Sequence, residues 1–438
     1  MLRSCYILLL FFGCHAIYAW ENHAMLTKTV LQAWQQQDTV AANYLDQSVA
    51  VESLQSFLQS TKKSLPSVLN NIEIWARQHE SGYRPLPASL IYQPSKTQCA
   101  NHMETCFKQS IRINLDVPLN AIVYDPQHDY PSFTQINMPS QILPGYFPLK
   151  LNIADYKLVP DHAKLKIKDI LATASLQPDF GMDSSLYEDS GTSFGKIYGF
   201  GKQPLGDPSI SLYSQMMFHM SSYHDAGFVF WFKPRLKETY PEYRAYLYMQ
   251  LSQFAAETKH PYWAAVFLGW GLHYIQDATQ PWHTQFLYGL TMGTIRHVIF
   301  SPITGLQNIQ TNRHILFENI ANQLIMSASD TGRNKNMLQS ALSHPSAVLP
   351  SCDLSTQFLR HENHNKINYV SILQASLPDV YVNSPAFQIS SVKDYAAFVN
   401  AMTPTARMQL SKGIATAFTQ YANYTRACIV LYANLSNL

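Results

Sequence analysis

Two imidazoles and a carboxylate fall within a single short stretch, His273-Tyr274-Ile275-Gln276-Asp277-Ala278-Thr279-Gln280-Pro281-Trp282-His283. On a helix, His273 and Asp277 share one face, because residues four apart lie one above the other. Pro281 then ends the helix and brings in His283 from another direction. A second pair of the same kind follows in His314-Ile315-Leu316-Phe317-Glu318. Neutral imidazole nitrogen and carboxylate oxygen together suit Zn²⁺. One such pair alone describes a solvated ion pair on a helix surface just as well. Two pairs and a further His just past a Pro point to a metal centre. His297 competes with His314, but the residue four beyond it is Ser301, which supplies no carboxylate.

These donors need rigid elements to hold them, and the chain is long enough to supply them. Its 438 residues and 47% hydrophobic content allow one large domain or two of ordinary size with a sizeable core. The formal charge of +2 shows no electrostatic footprint for nucleic acid. Helical periodicity is expected over 20–59, 68–77, 161–174, 241–258, 261–277, 311–327 and 403–433. Between residues 83 and 160 the text turns rich in Pro, Asn and Gln. There Ile111–Leu115 alternates and Ala121–Tyr124 is a short apolar run, so a lobe of loops and a few strands is expected. The fold class is mainly α with an irregular or β-containing insertion. The expected organisation is a leader over 1–19, the first part of a helical core over 20–82 and the insertion over 83–160. A metal-binding helical core over 161–330 and a mostly helical extension over 331–438 complete it.

The N-terminus has the pattern of a secretory signal, with Arg3, an apolar run from Ile7 to Phe12, and Ala16-Ile17-Tyr18-Ala19 before Trp20. Phe11-Phe12-Gly13-Cys14 fits a lipoprotein site poorly. The apolar run is too short for a membrane span, and no later stretch reaches that length. Cleavage after Ala19 leaves Cys99, Cys106, Cys352 and Cys428, an even set that favours disulfides in an exported protein. Cys99 with Cys106 would close a small loop, and Cys352 with Cys428 would tie down the C-terminal end; three connectivities are open. The product is expected to be secreted or periplasmic.

At these residues the chain resembles the zinc-dependent phospholipases C and the related single-strand-specific zinc nucleases. The shared pattern is H-x3-D-x5-H, then H-x3-[DE], behind a mature N-terminal Trp. Here it reads His273, Asp277, His283, then His314 and Glu318, behind Trp20. The text around His273 is close to the phospholipase version, most like the larger Gram-negative group. The resemblance covers residues 20–23 and about 178–318. It implies an all-helical core with three zinc ions. One would be held by His283, His314 and Glu318, and a second by His273, Asp277, another His and another Asp. A third would take the amino and carbonyl groups of Trp20, with His23 and Asp277. For the missing imidazole, Ser214–Met220 resembles the Gram-negative segment and selects His219, with His224 as runner-up. For the missing acid, Asp179 fits an acid followed by an aromatic residue, with Asp183 as the alternative.

The activity so implied is hydrolysis of glycerophospholipids, phosphatidylcholine among them, with Asp179 as general base on the attacking water. The partner is a phospholipid at a membrane surface. Lipid-contacting aromatics are sought in Tyr130-Pro131-Ser132-Phe133 and Tyr146-Phe147-Pro148, against the plainer reading that they pack the lobe. Two alternatives remain open at this point. One is a zinc nuclease cutting single strands, for which no basic groove is evident. The other is a non-enzymatic exported protein with structural zinc.

Overall fold

The computed structural model describes residues 20, 22–146, 152–225, 227–232, 234–285, 288, 303–326, 333–344, 346, 348–354, 368–384, 386–387, 392 and 394–435. The leader (1–19), Phe147, Pro148, His297 and Ser301 therefore lie outside the described residues.

The fold is mainly α. Its longer helices are α1 (His23–Gln37), α2 (Thr39–Leu45), α3 (Leu54–Thr61), α4 (Leu65–His79), α5 (Met103–Ser110), α6 (Ile167–Ala174), α7 (Pro241–Glu257), α8 (Pro261–Asp277), α9 (Ile303–Met326), α10 (Arg333–Ser343), α11 (Tyr369–Ser376), α12 (Tyr395–Asn400) and α13 (Pro404–Tyr432). Strands are few and short: β1 (Ser48–Ala50), β2 (Ile122–Tyr124), β3 (Thr134–Gln135), β4 (Tyr156–Leu158) and β5 (Lys164–Lys166). β1 pairs antiparallel with β5, and β2 and β3 flank β4 in an antiparallel sheet.

Helix α8 is the axis of the molecule. It begins at Pro261, where a missing N–H costs nothing. It is apolar nearly all round, the pattern of a helix buried on every side. It packs on α7, α6 and α13. Gly269 makes the α6 contact possible, because a Cβ there would lie 2.4 Å from the Cβ of Ala174. The helix-weakening glycine is thus explained by a close approach. Helices α1 and α13 also touch each other, so the first and last helices of the described chain enclose one end of α8.

Several expectations need correction. The helical stretch expected over 20–59 is broken. Asp38 caps α2 by accepting from the N–H groups of Val40 and Ala41, Ser53 caps α3, and β1 lies between them. Ile111–Leu115 forms no strand; Arg112 turns the chain with φ 51°, and its buried guanidinium donates to the carbonyls of Arg84 and Tyr198. The helix expected from 161 starts only at Ile167, after β5. Tyr130 stacks on Phe133 at 5.1 Å and donates to Asp169 at 2.6 Å, so this pair packs the lobe. Tyr146 is 48% exposed and accepts from Asn114.

Cys99 is bonded to Cys106, and Cys352 to Cys428. The second bridge closes a loop of separation 76, which stabilises the fold by roughly 4 kcal/mol on the chain-entropy account. It fastens 352 to α13 behind the centre of the molecule. Among the described residues no helix is long and apolar enough to cross a membrane.

Candidate metal centre

The C-terminal turn of α8 presents His273 and Asp277 on one face. The chain then reverses, and Pro281 opens a short 3-10 turn, Pro281–His283, that aims His283 back at the helix end. Helix α9 presents His314 and Glu318. His23 opens α1, and Asp179 sits in the 3-10 turn Gln177–Phe180. That turn is ended by Gly181 at φ 91°, a left-handed conformation only Gly adopts freely. His219 ends the short helix Met216–His219.

These side chains converge. Three groups each bring possible ligand atoms within 4.8 Å of one another: His23, Asp179 and His273; His219, His273 and Asp277; His283, His314 and Glu318. Asp277 links them. Its Oδ1 is 3.0 Å from His23 Nε2, and its Oδ2 is 3.1 Å from His219 Nδ1, 3.3 Å from His273 Nε2 and 3.8 Å from His283 Nδ1. The backbone nitrogen of Trp20 lies 3.3 Å from Glu318 Oε1, beside the third group. The Trp20 ring is buried against Phe418 and Phe317, and its indole N–H donates to Thr279. No donor residue is more than 4% exposed.

The surrounding hydrogen bonds fix which ring nitrogen carries a lone pair. A carbonyl only accepts, so His273 must donate from Nδ1 to Ser175 O at 2.8 Å, leaving Nε2 to face the cluster. His283 likewise donates from Nδ1 to His219 O at 2.8 Å, and its Nε2 faces His314 Nε2 at 2.9 Å. His23 Nδ1 donates to Gln276 Oε1 at 2.9 Å, while the Gln276 amide donates to Thr27 and Thr425. Gln280 donates to Glu318 Oε1 at 3.0 Å. Such outer partners are the usual means of orienting metal ligands. Both oxygens of buried Asp179 lack a hydrogen-bond partner, though each neighbouring imidazole, His219 and His273, comes within 3.7 Å. Ring nitrogens facing each other, with unsatisfied buried carboxylate oxygens beside them, form a donor set that fits divalent cations.

The sequence alternatives separate in the structure. Asp183 joins none of the three groups; its Oδ1 is 2.6 Å from Arg244 and its Oδ2 lies behind the His219 ring, 3.4 Å from Nε2. His224 joins none of the three groups; its backbone N–H donates to Thr284 O. Sequence reasoning missed Gln276, Gln280, Arg244, Tyr274 and Tyr421. Gln276 and Gln280 flank Asp277 in the motif itself and offered a signal. Tyr421, whose hydroxyl donates to His23 O at 3.3 Å, offered none.

Burial pushes His283 and His314 down to about 3. Burial also opposes the charge on His219, but contacts with Asp183 and Asp277 outweigh it and raise the group to about 10. Burial raises Asp179, with His273 and His219 opposing. For Asp277, burial is overcome by the charge of His273 and by bonds from His219 and His23, holding it well below the usual carboxylate range. His283 and His314 are thus neutral in the metal-free chain, the state in which an imidazole can ligate, whereas His219 has to give up a proton to do so.

These shifts predict the pH profile of the metal-free chain. Between about 6.5 and about 3 the unfolded chain binds protons at residues 283 and 314 that the folded chain does not. Stability therefore falls as pH drops through that window, by about 1.4 kcal/mol per pH unit per imidazole. His219 has the opposite sign: its contribution is complete below 6.5 and is lost as pH rises through about 10. The melting temperature in chelator should peak near pH 6.5. A profile that keeps rising toward acid pH would contradict the burial of these neutral rings.

Comparisons of the chain with protein-family models, with curated proteins and with solved structures find no match. Several buried His, Asp and Glu clusters in a mainly helical fold could hold metal ions.

Proposed function

We propose that this chain is an exported zinc-dependent phosphodiester hydrolase of the phospholipase C type, acting on glycerophospholipids such as phosphatidylcholine. One observation carries the reading: donors from five separate stretches of chain meet around Asp277 in a single buried cluster. His283, His314 and Glu318 would hold one zinc, and His219, His273, Asp277 and Asp179 a second. Trp20, His23 and Asp277 would hold a third. When bound, zinc supplies Lewis acidity at a phosphoryl group and lowers the pKa of water.

The protein's own part is to fix the donors and manage a proton. Carbonyl groups of Ser175 and His219 lock the tautomers of His273 and His283. Asp179 is the general base, because neither of its oxygens accepts a hydrogen bond and burial makes the carboxylate more basic than an ordinary one. Asp277, held ionised, supplies fixed negative charge between the imidazoles.

One observation favours a second reading. Every donor is buried, which also suits a closed structural metal site. The mature protein and its Asp179→Asn variant separate the two. The enzyme should release diacylglycerol and phosphorylated head group from phosphatidylcholine vesicles and leave single-stranded DNA intact. Asp179→Asn should slow turnover ~10²–10⁴-fold while most bound zinc remains. Cutting of DNA without lipid cleavage would overturn the phospholipase reading, and a variant with unaltered function would favour structural zinc.

A further inference from the structure

Asp183 lies directly behind one of the proposed ligands. It is fully buried, and its Oδ2 accepts from Tyr274 Oη at 2.5 Å. The same oxygen is 3.4 Å from His219 Nε2, an ion-pair distance. The opposite ring nitrogen, His219 Nδ1, faces the cluster, 3.1 Å from Asp277 Oδ2 and 2.9 Å from His273 Nε2. The imidazole is therefore held between a carboxylate in the cluster and one outside it.

Arg244 fixes the outer carboxylate. Its guanidinium is buried, 2.6 Å from Asp183 Oδ1, and donates to Ile111 O at 2.6 Å and to Arg112 O at 2.8 Å. It also lies over the ring of Phe218, the residue before His219, at 5.1 Å. The two carbonyls belong to the segment 83–160, so the arginine links that lobe to the centre.

We propose that Asp183 is a positioning residue for His219: in the metal-free chain Nδ1 donates to Asp277 Oδ2, and the Asp183 carboxylate behind the ring keeps a proton on Nε2 when a cation takes the place of the one on Nδ1. Arg244 holds Asp183 in place from the carbonyls of the lobe. This inference rests on the metal-centre reading. A carboxylate behind a ligating imidazole is a recurrent tuning device, and its loss weakens binding ~10–100-fold. The competing account is that the buried pair only stabilises the fold.

Asp183→Asn alone leaves Arg244 buried without its counter-charge, a strongly destabilising change, so the deciding protein is the double variant Asp183→Asn/Arg244→Met, which removes both charges together. Cobalt titration of the metal-free protein, read by visible absorption and chelator competition, gives the affinity of each equivalent. Metal-free melting is measured alongside. The expected result is a folded protein whose melting temperature is lowered by the loss of the bonds to Ile111 O and Arg112 O, with one cobalt equivalent bound ~10–100-fold more weakly and the others unchanged. Wild-type affinity for every equivalent in the folded double variant would overturn the proposal. If neither charge variant folds, the isosteric Tyr274→Phe decides: it frees one oxygen of Asp183 and should weaken the same equivalent several-fold, and unchanged affinity there would overturn the proposal. A wild-type protein that binds no cobalt would instead sink the metal reading on which the inference rests.

Discussion

For the proposed zinc phospholipase, Asp277→Asn is expected to strip at least one metal equivalent and slow phospholipid cleavage by at least ~10³-fold. The residue is fully buried, and both of its oxygens are engaged with imidazoles from separate parts of the chain: Oδ1 with His23, Oδ2 with His219 and His273. Asparagine keeps the shape. It nevertheless replaces one acceptor with an N–H₂ donor, which cannot face a cation, and it removes the negative charge among several rings. The effect should exceed that of His314→Ala, which touches only the third group. Metal analysis of the two variants side by side tests the ranking; a full zinc complement in Asp277→Asn would rule Asp277 out as a ligand.

Much of this cluster was legible because helices convert spacing into geometry. The four-residue intervals in 273–277 and 314–318 place each pair on one face, and Pro281 after α8 guarantees a change of direction before His283. Choosing between the two loop acids was a different matter. Asp179 and Asp183 are as close in sequence as the helical pairs, yet Gly181 reverses the backbone between them. What decides their roles is Arg244, far along the chain, which engages Asp183 and leaves Asp179 to the cluster. Local text carries no trace of that long-range pairing.

The strands show the same limit. Ala121–Tyr124 contains β2 as its apolar run suggested, whereas Ile111–Leu115 alternates equally well and forms a turn. Its Arg112 guanidinium finds partners in the carbonyls of Arg84 and Tyr198, and that tertiary requirement overrides the alternation. The C-terminal part was read as helical, but its purpose was not. Helix α13 supplies Phe418 against Trp20, Tyr421 against His23 and Thr27, and Thr425 to Gln276. It forms a supporting wall of the centre, built from residue types that look like ordinary helix filling.

On the proposed zinc-hydrolase reading, a protein beginning at Trp20 and one retaining Ala19 should differ by one zinc equivalent and by at least ~10² in turnover. The Trp20 nitrogen lies 3.3 Å from Glu318 Oε1, within the cluster. As part of a peptide bond that nitrogen has a delocalised lone pair and donates a hydrogen bond only. As a free α-amine, with an ordinary pKa near 8, it can lose a proton and ligate. The backbone gives a second reason for cleavage. With a residue ahead of it Trp20 holds φ at 28°, a costly conformation for a bulky side chain, and a chain that starts there has no such constraint. The burial of its ring against Phe317 and Phe418 keeps the nitrogen in place in either form. Both proteins can be made with defined N-termini, checked by mass, and compared by metal content and vesicle hydrolysis. Equal zinc and equal rates would show that the amino group is not a ligand, and the third metal would have to be withdrawn.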